Sequence, residues 1–89
     1  MTNDKNDKIL ITNRFFMCVD LLKDSGRMPG GLKEFCERHE VNRSALSIVR
    51  YNPETASLKV EYVKWLCDDY NVNVNYIMFG RGKVINPSK

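Results

Sequence analysis

The residues of this chain best suited to chemistry lie between Val41 and Pro53. At roughly 100° per residue of helix, Ala45, Leu46 and Val49 fall in one sector, which reads as the core side. Arg43, Ser44, Ser47, Ile48 and Tyr51 fall in the opposite sector, and no Asp or Glu occurs from Val41 to Pro53. A guanidinium is a permanent cation with a planar fork of donors, and a serine hydroxyl both donates and accepts. Arginine therefore suits guanine edges or phosphates, serine suits either, and Ile48 suits a thymine methyl. The same composition also suits a plain solvated face of a helical bundle, kept wet by its serines and arginines.

Other reactive sets are thinner. His39 is the single histidine, and no nucleophile accompanies it in the sequence. Asp68 and Asp69 are adjacent, so on a helix their side chains diverge by about 100° and read as surface charge. Cys18, Cys36, Cys67 and His39 would supply four zinc ligands, with Cys36 and His39 at i,i+3, but no second paired-ligand spacing joins them. Each cysteine instead occupies an apolar position of a helical pattern, as a small hydrophobe. Reduced thiols in a cytoplasmic protein are expected, with no metal and no cofactor. Gly80-Arg81-Gly82 follows no strand and reads as a helix stop rather than a phosphate loop. Nothing here points to an enzyme or to a small-molecule substrate.

Those side chains have to be positioned by helices. Thr12 or Asn13 is placed to cap a first helix to about Lys23, with Phe15, Cys18, Val19 and Leu22 at i, i+3, i+4, i+7 spacing. Met28-Pro29-Gly30-Gly31 is a connector, and a second helix fits Leu32 to His39. Asn42 caps a third helix from Arg43 to Arg50 or Tyr51, which Asn52-Pro53 terminates. A fourth helix opens near Ser57 and runs to about Tyr70, apolar on nearly all sides. Its Tyr62 and Trp65 are expected in the core rather than at a dimer seam. Asn73 caps a short fifth helix that Gly80 closes. The expected fold is all-α: five short helices, with residues 1–8 a flexible lead-in, 9–82 the domain and 83–89 a basic tail.

Composition sets the bounds. With 89 residues there is room for one domain and one modest core. A net charge of +3 supports a polyanionic partner only weakly, so the placement of charge matters more. No run of 18 apolar residues exists and the polar N-terminus is not a signal peptide, so no membrane association is expected.

Three stretches resemble the repressor and Cro-like helix-turn-helix family, also called the xenobiotic-response-element (XRE) type. In residues 35–49, small Cys36 stands where the two helices cross, and Val41, Leu46 and Val49 take the family's apolar positions. Arg50-Tyr51-Asn52-Pro53 is similar to the exit of the recognition helix in small bacterial regulators. Residues 72–82 are similar to the segment that closes many such domains. The resemblance implies a lambda-repressor-like fold whose second and third helices form the helix-turn-helix, usually dimeric on bacterial or phage operators. It implies that Arg43, Ser44, Ser47 and Ile48 face bases, while Leu32, Lys33, Asn42, Arg50 and Tyr51 meet phosphates. Two departures stand out. Glu40 replaces a frequent turn glycine, at about 1 kcal/mol if its backbone is left-handed. Leu32 replaces a frequent phosphate-touching glutamine and has only its backbone N–H to offer.

The expected function is sequence-specific binding of double-stranded DNA by a homodimer on an inverted repeat. Repression by occupying an operator is the simpler expectation, since 89 residues leave no room for a ligand domain. The alternative is a protein-interaction module, such as an antitoxin-like subunit of the same fold, motivated by the nearly all-apolar fourth helix.

Overall fold

The computed structural model describes residues 4–87. Five helices make up the fold: α1 (Asp4–Asp24), α2 (Gly31–His39), α3 (Arg43–Tyr51), α4 (Val60–Tyr70) and α5 (Val74–Phe79). Among the described residues there is no β-strand, only an isolated antiparallel bridge between Val72 and Ile85.

α1 is longer than its sequence suggests. Thr12 is not a cap: its Oγ1 donates to the Lys8 carbonyl at 2.8 Å, one turn back within the helix, and the residue is buried. A threonine that bonds its own i−4 carbonyl is satisfied in mid-helix, so the helix runs through it. α1 therefore covers most of the stretch expected as a flexible lead-in, and residues 1–3 lie outside the described residues. One face of α1 buries Phe15, Phe16, Cys18, Val19 and Leu22, and the helix packs against α2, α3 and α5. Phe15 and Phe35 meet edge to face at 5.8 Å, an orientation that places a positive ring edge on a negative ring face. Met28, fully buried, plugs the connector between α1 and α2.

Only Glu40, Val41 and Asn42 separate α2 from α3. Glu40 is left-handed (φ 54°), which lets the Val41 N–H reach the Cys36 carbonyl at 2.8 Å. Asn42 caps α3 as expected, its side-chain oxygen accepting from the Ala45 N–H at 3.1 Å. Leu46 and Val49 carry α3 into the core, whereas Ala45, expected on the core side, is exposed.

α4 begins at Val60, not near Ser57, and Lys59 at its N-cap makes no side-chain capping bond. Tyr62 and Trp65 are half-buried and pack against the core. α5 follows its caps closely. The Asn73 side chain accepts from the Asn75 N–H at 3.0 Å, and Gly80 ends the helix at φ 69°. Glycine suits that position chiefly by its backbone. The backbone is left-handed, and an added Cβ would stand 3.0 Å from the Arg14 guanidinium, which donates to the Ile77 carbonyl at 3.4 Å.

The segment expected as a basic tail is fastened to the fold as far as Asn86. The Asn73 N–H donates to the Val84 carbonyl at 2.7 Å, and the Asn86 N–H donates to the Asn71 carbonyl at 3.0 Å. Asn73 Nδ2 donates to the carbonyls of Arg81 and Lys83 at 3.3 and 2.9 Å. Val84 and Ile85 pack on the core from this strap.

Candidate nucleic-acid interface

α3 presents its functional side chains because its other side is anchored. Buried Leu46 and Val49 fix the rotation of the helix about its axis, and the Asn42 cap fixes where it starts. With rotation set, Arg43, Ser44, Ile48 and Tyr51 are exposed and Ser47 is half-buried at the rim. Tyr51 is 77% exposed and Ile48 57% exposed, both large for apolar-bodied side chains. The five residues expected to face outward therefore share one open face. None of the ion pairs among the described residues involves Arg43. Near the turn the face does meet acid. Glu37 and Glu40 line a shallow depression with Lys33, Cys36, Val41 and Arg43.

The residues assigned to phosphate contacts divide. Tyr51 and Asn42 are exposed beside the α3 face, although the Asn42 side-chain oxygen is occupied by its cap. Lys33 is exposed, with Glu37 4.0 Å away. Leu32 is half-buried against the core, which explains why an apolar residue stands there. The α2 N-terminus also carries a carboxylate, since the Gly30 N–H donates to Glu34 Oε1 at 3.2 Å. Arg50 departs from the expectation. Its guanidinium turns back to α1, 2.6 Å from Asp20 Oδ2 and 5.3 Å over the Phe16 ring, so its donors serve the α1–α3 contact.

Sequence reasoning missed the cluster that fixes α2, on which α3 rests. His39 Nε2 lies 2.6 Å from Asp69 Oδ2, and its ring stacks on Trp65 at 4.4 Å and 2°. Arg38 Nε lies 3.4 Å from the same carboxylate oxygen. The Tyr70 hydroxyl donates to Glu34 Oε2 at 2.6 Å, and burial together with that carboxylate pushes its pKa above the ordinary phenol value. Asp69 thus anchors the end of α2 to α4, while its neighbour Asp68 pairs with Lys64 on the surface. The α2–α4 hydrogen bonds and ion pairs of this cluster link positions 30 or more apart, so no local spacing announces them.

The three cysteines carry free thiols. Burial, with a smaller contribution from Cys67, pushes the Cys18 thiol up to about 12, and burial also raises Cys36 and Cys67. Thiols held protonated are poor nucleophiles and poor metal ligands. Among the described residues no three His, Cys, Asp or Glu side chains converge on a possible metal position. No helix there is long and apolar enough to cross a membrane. Comparison with protein-family models, with curated proteins and with solved structures finds no match to this chain.

Proposed function

We propose that this protein binds double-stranded DNA sequence-specifically through a helix-turn-helix formed by α2 and α3, with α3 in the major groove. The observation that carries the reading is the α3 face: an anchored helix showing an unneutralised arginine, hydroxyls and one isoleucine, with no acid on the helix itself. Phosphates supply affinity to such a face, and base edges supply choice. Arg43, Ser44, Ser47 and Ile48 face bases in this reading. Tyr51, Asn42 and Lys33 lie beside phosphates.

One copy offers few cations to phosphates, because Arg50 and Arg38 are held by carboxylates. A two-fold dimer doubles that number and sets two α3 helices about 34 Å apart on an inverted repeat. The groove between α4 and α5, lined by Val60, Val63, Val74 and Met78 with Lys64 and Asp68 at its edge, is the surface we assign to the second copy. Val60 is 77%, Val74 48% and Phe79 62% exposed. Occupying an operator in this way blocks access to it, so we read the protein as a repressor. Lower expression of the regulated gene in a deletion strain would contradict that sign.

Selection of bound sequences from random duplexes, at two salt concentrations and with an Arg43→Ala/Ser47→Ala control, tests the reading. The expected result is an inverted-repeat motif that the control loses. Weak binding without enrichment, fading with salt, would refute it. The exposed α4–α5 face also supports a second reading, a protein-interaction module of the same fold. A stoichiometric protein partner in place of a homodimer would favour that one.

A further inference from the structure

The exposed face of α3 has two unlike ridges. Arg43, Ser47 and Tyr51, at i, i+4 and i+8, make a polar one. Ala45 and Ile48, at i and i+3, make an apolar one, which exists because Ala45 lies outside the core. We infer that Ala45 and Ile48 read the 5-methyl groups of two neighbouring thymines on one strand, so that each half-site contains a T-T step. The inference rests on the duplex-binding reading and names what that site selects.

Geometry favours this occupant. Three residues advance about 4.5 Å along a helix axis, and successive bases on one strand are about 3.4 Å apart. A helix tilted in the groove therefore brings the two side chains over adjacent base steps. A thymine methyl is the one apolar group on a major-groove edge, and apolar side chains are what it accepts. The size of the ridge argues against a protein here. Its two apolar residues are bordered by Ser44, Ser47 and Tyr51, whereas a stable protein interface buries on the order of 800 Å² per partner. The absence of acid on α3 suits the phosphates that flank those methyls.

Replacing thymine by deoxyuridine removes the methyl and leaves base pairing and the O4 acceptor intact. The experiment measures Kd for the selected operator with uracil placed at one thymine position at a time. Two adjacent positions per half-site should each lose about fourfold, the equivalent of ~0.8 kcal/mol for one buried methyl. In Ile48→Ala the loss at one of the two should vanish, and Ile48→Val should restore much of it. Ile48 is 57% exposed, so thermal melting of both variants should match the parent protein. Specific binding that ignores uracil everywhere, or selected half-sites without adjacent thymines, would overturn the inference and leave the duplex reading standing. No sequence-specific binding to any duplex would overturn both.

Discussion

The outward face of α3 and the outward face of α4 with α5 are both open to solvent, but their charges are arranged differently. On α3 the single exposed arginine has no acidic partner, and hydroxyls surround it. On α4 the exposed Lys64 is paired with Asp68 at 2.6 Å and Glu61 is exposed beside them, while Val60 on α4 and Val74 and Phe79 on α5 add large apolar exposure. An unpaired cation among hydroxyls gains from a partner that offers acceptors in a fixed pattern. An apolar patch beside largely paired charge gains from another apolar patch, because burial there removes hydrocarbon from water. In the proposed reading, two surfaces of one small domain thus serve two classes of partner, duplex DNA and a second copy of the chain.

Making the apolar face repel itself tests this contrast most severely. Val60→Lys together with Val74→Lys should leave the fold intact, since both side chains are exposed, and should convert a dimer to a monomer by sedimentation. Operator affinity should then fall roughly 100-fold with the loss of bivalent binding. Affinity for an isolated half-site should hold. A dimer that survives the pair would move the seam elsewhere, and the contrast would lose one side.

The other side is tested by Arg43→Ala. It should weaken operator binding by about 1–3 kcal/mol and relax choice at one base position, if the guanidinium meets a guanine edge. A uniform loss over all sequences, with the salt slope reduced by about one, would make Arg43 a phosphate contact instead. Self-association should be untouched in either case, which separates the two faces cleanly.

How α3 is held decides whether its face stays in register, and here sequence and structure part ways. The bounds of α3 and α5 were legible because each end carries a local signal: Asn42 and Asn73 as caps, Asn52-Pro53 and Gly80 as stops. Thr12 imitated a cap because its hydroxyl bonds a backbone group, but the partner is the carbonyl behind it rather than an N–H ahead. Lys59 carries no capping signal at all, so the start of α4 was unmarked. Most of the α3 face was legible from helical phase alone. Ala45 was misplaced because it sits at the edge of the buried sector, where phase does not decide. Arg50 to Asp20, His39 to Asp69 and Asn73 to Lys83 are pairings across the fold, set by tertiary packing and not by spacing.

Asp69→Ala probes that hidden support. It removes the shared partner of His39 and Arg38 and should destabilise the fold by about 1.5 kcal/mol in denaturant unfolding. Asp69→Asn keeps an acceptor and should lose less. Because α2 would be less firmly held to α4, operator binding should weaken more than dimerisation does. Equal loss in both would mean that Asp69 supports the whole fold and not the α2–α3 unit in particular.

The smallest expected effect isolates the turn between α2 and α3. Glu40 stands at φ 54°, where a Cβ crowds the backbone, so Glu40→Gly should relieve strain. The greater freedom of glycine in the unfolded chain offsets part of that gain, leaving a stabilisation of about 0.5–1 kcal/mol, or roughly 3–6 °C in Tm. Glu40 also lines the depression beside Arg43, so the same substitution removes a negative charge from the edge of the α3 face. Glu40→Gln separates the two effects, because it discards the charge and keeps the strained backbone. Gln should sharpen DNA binding at low salt and leave Tm unchanged, whereas Gly should improve both. If Gly raises Tm but neither variant alters binding, the acidic edge of the turn lies outside the reach of the phosphates, and the α3 face ends at Arg43.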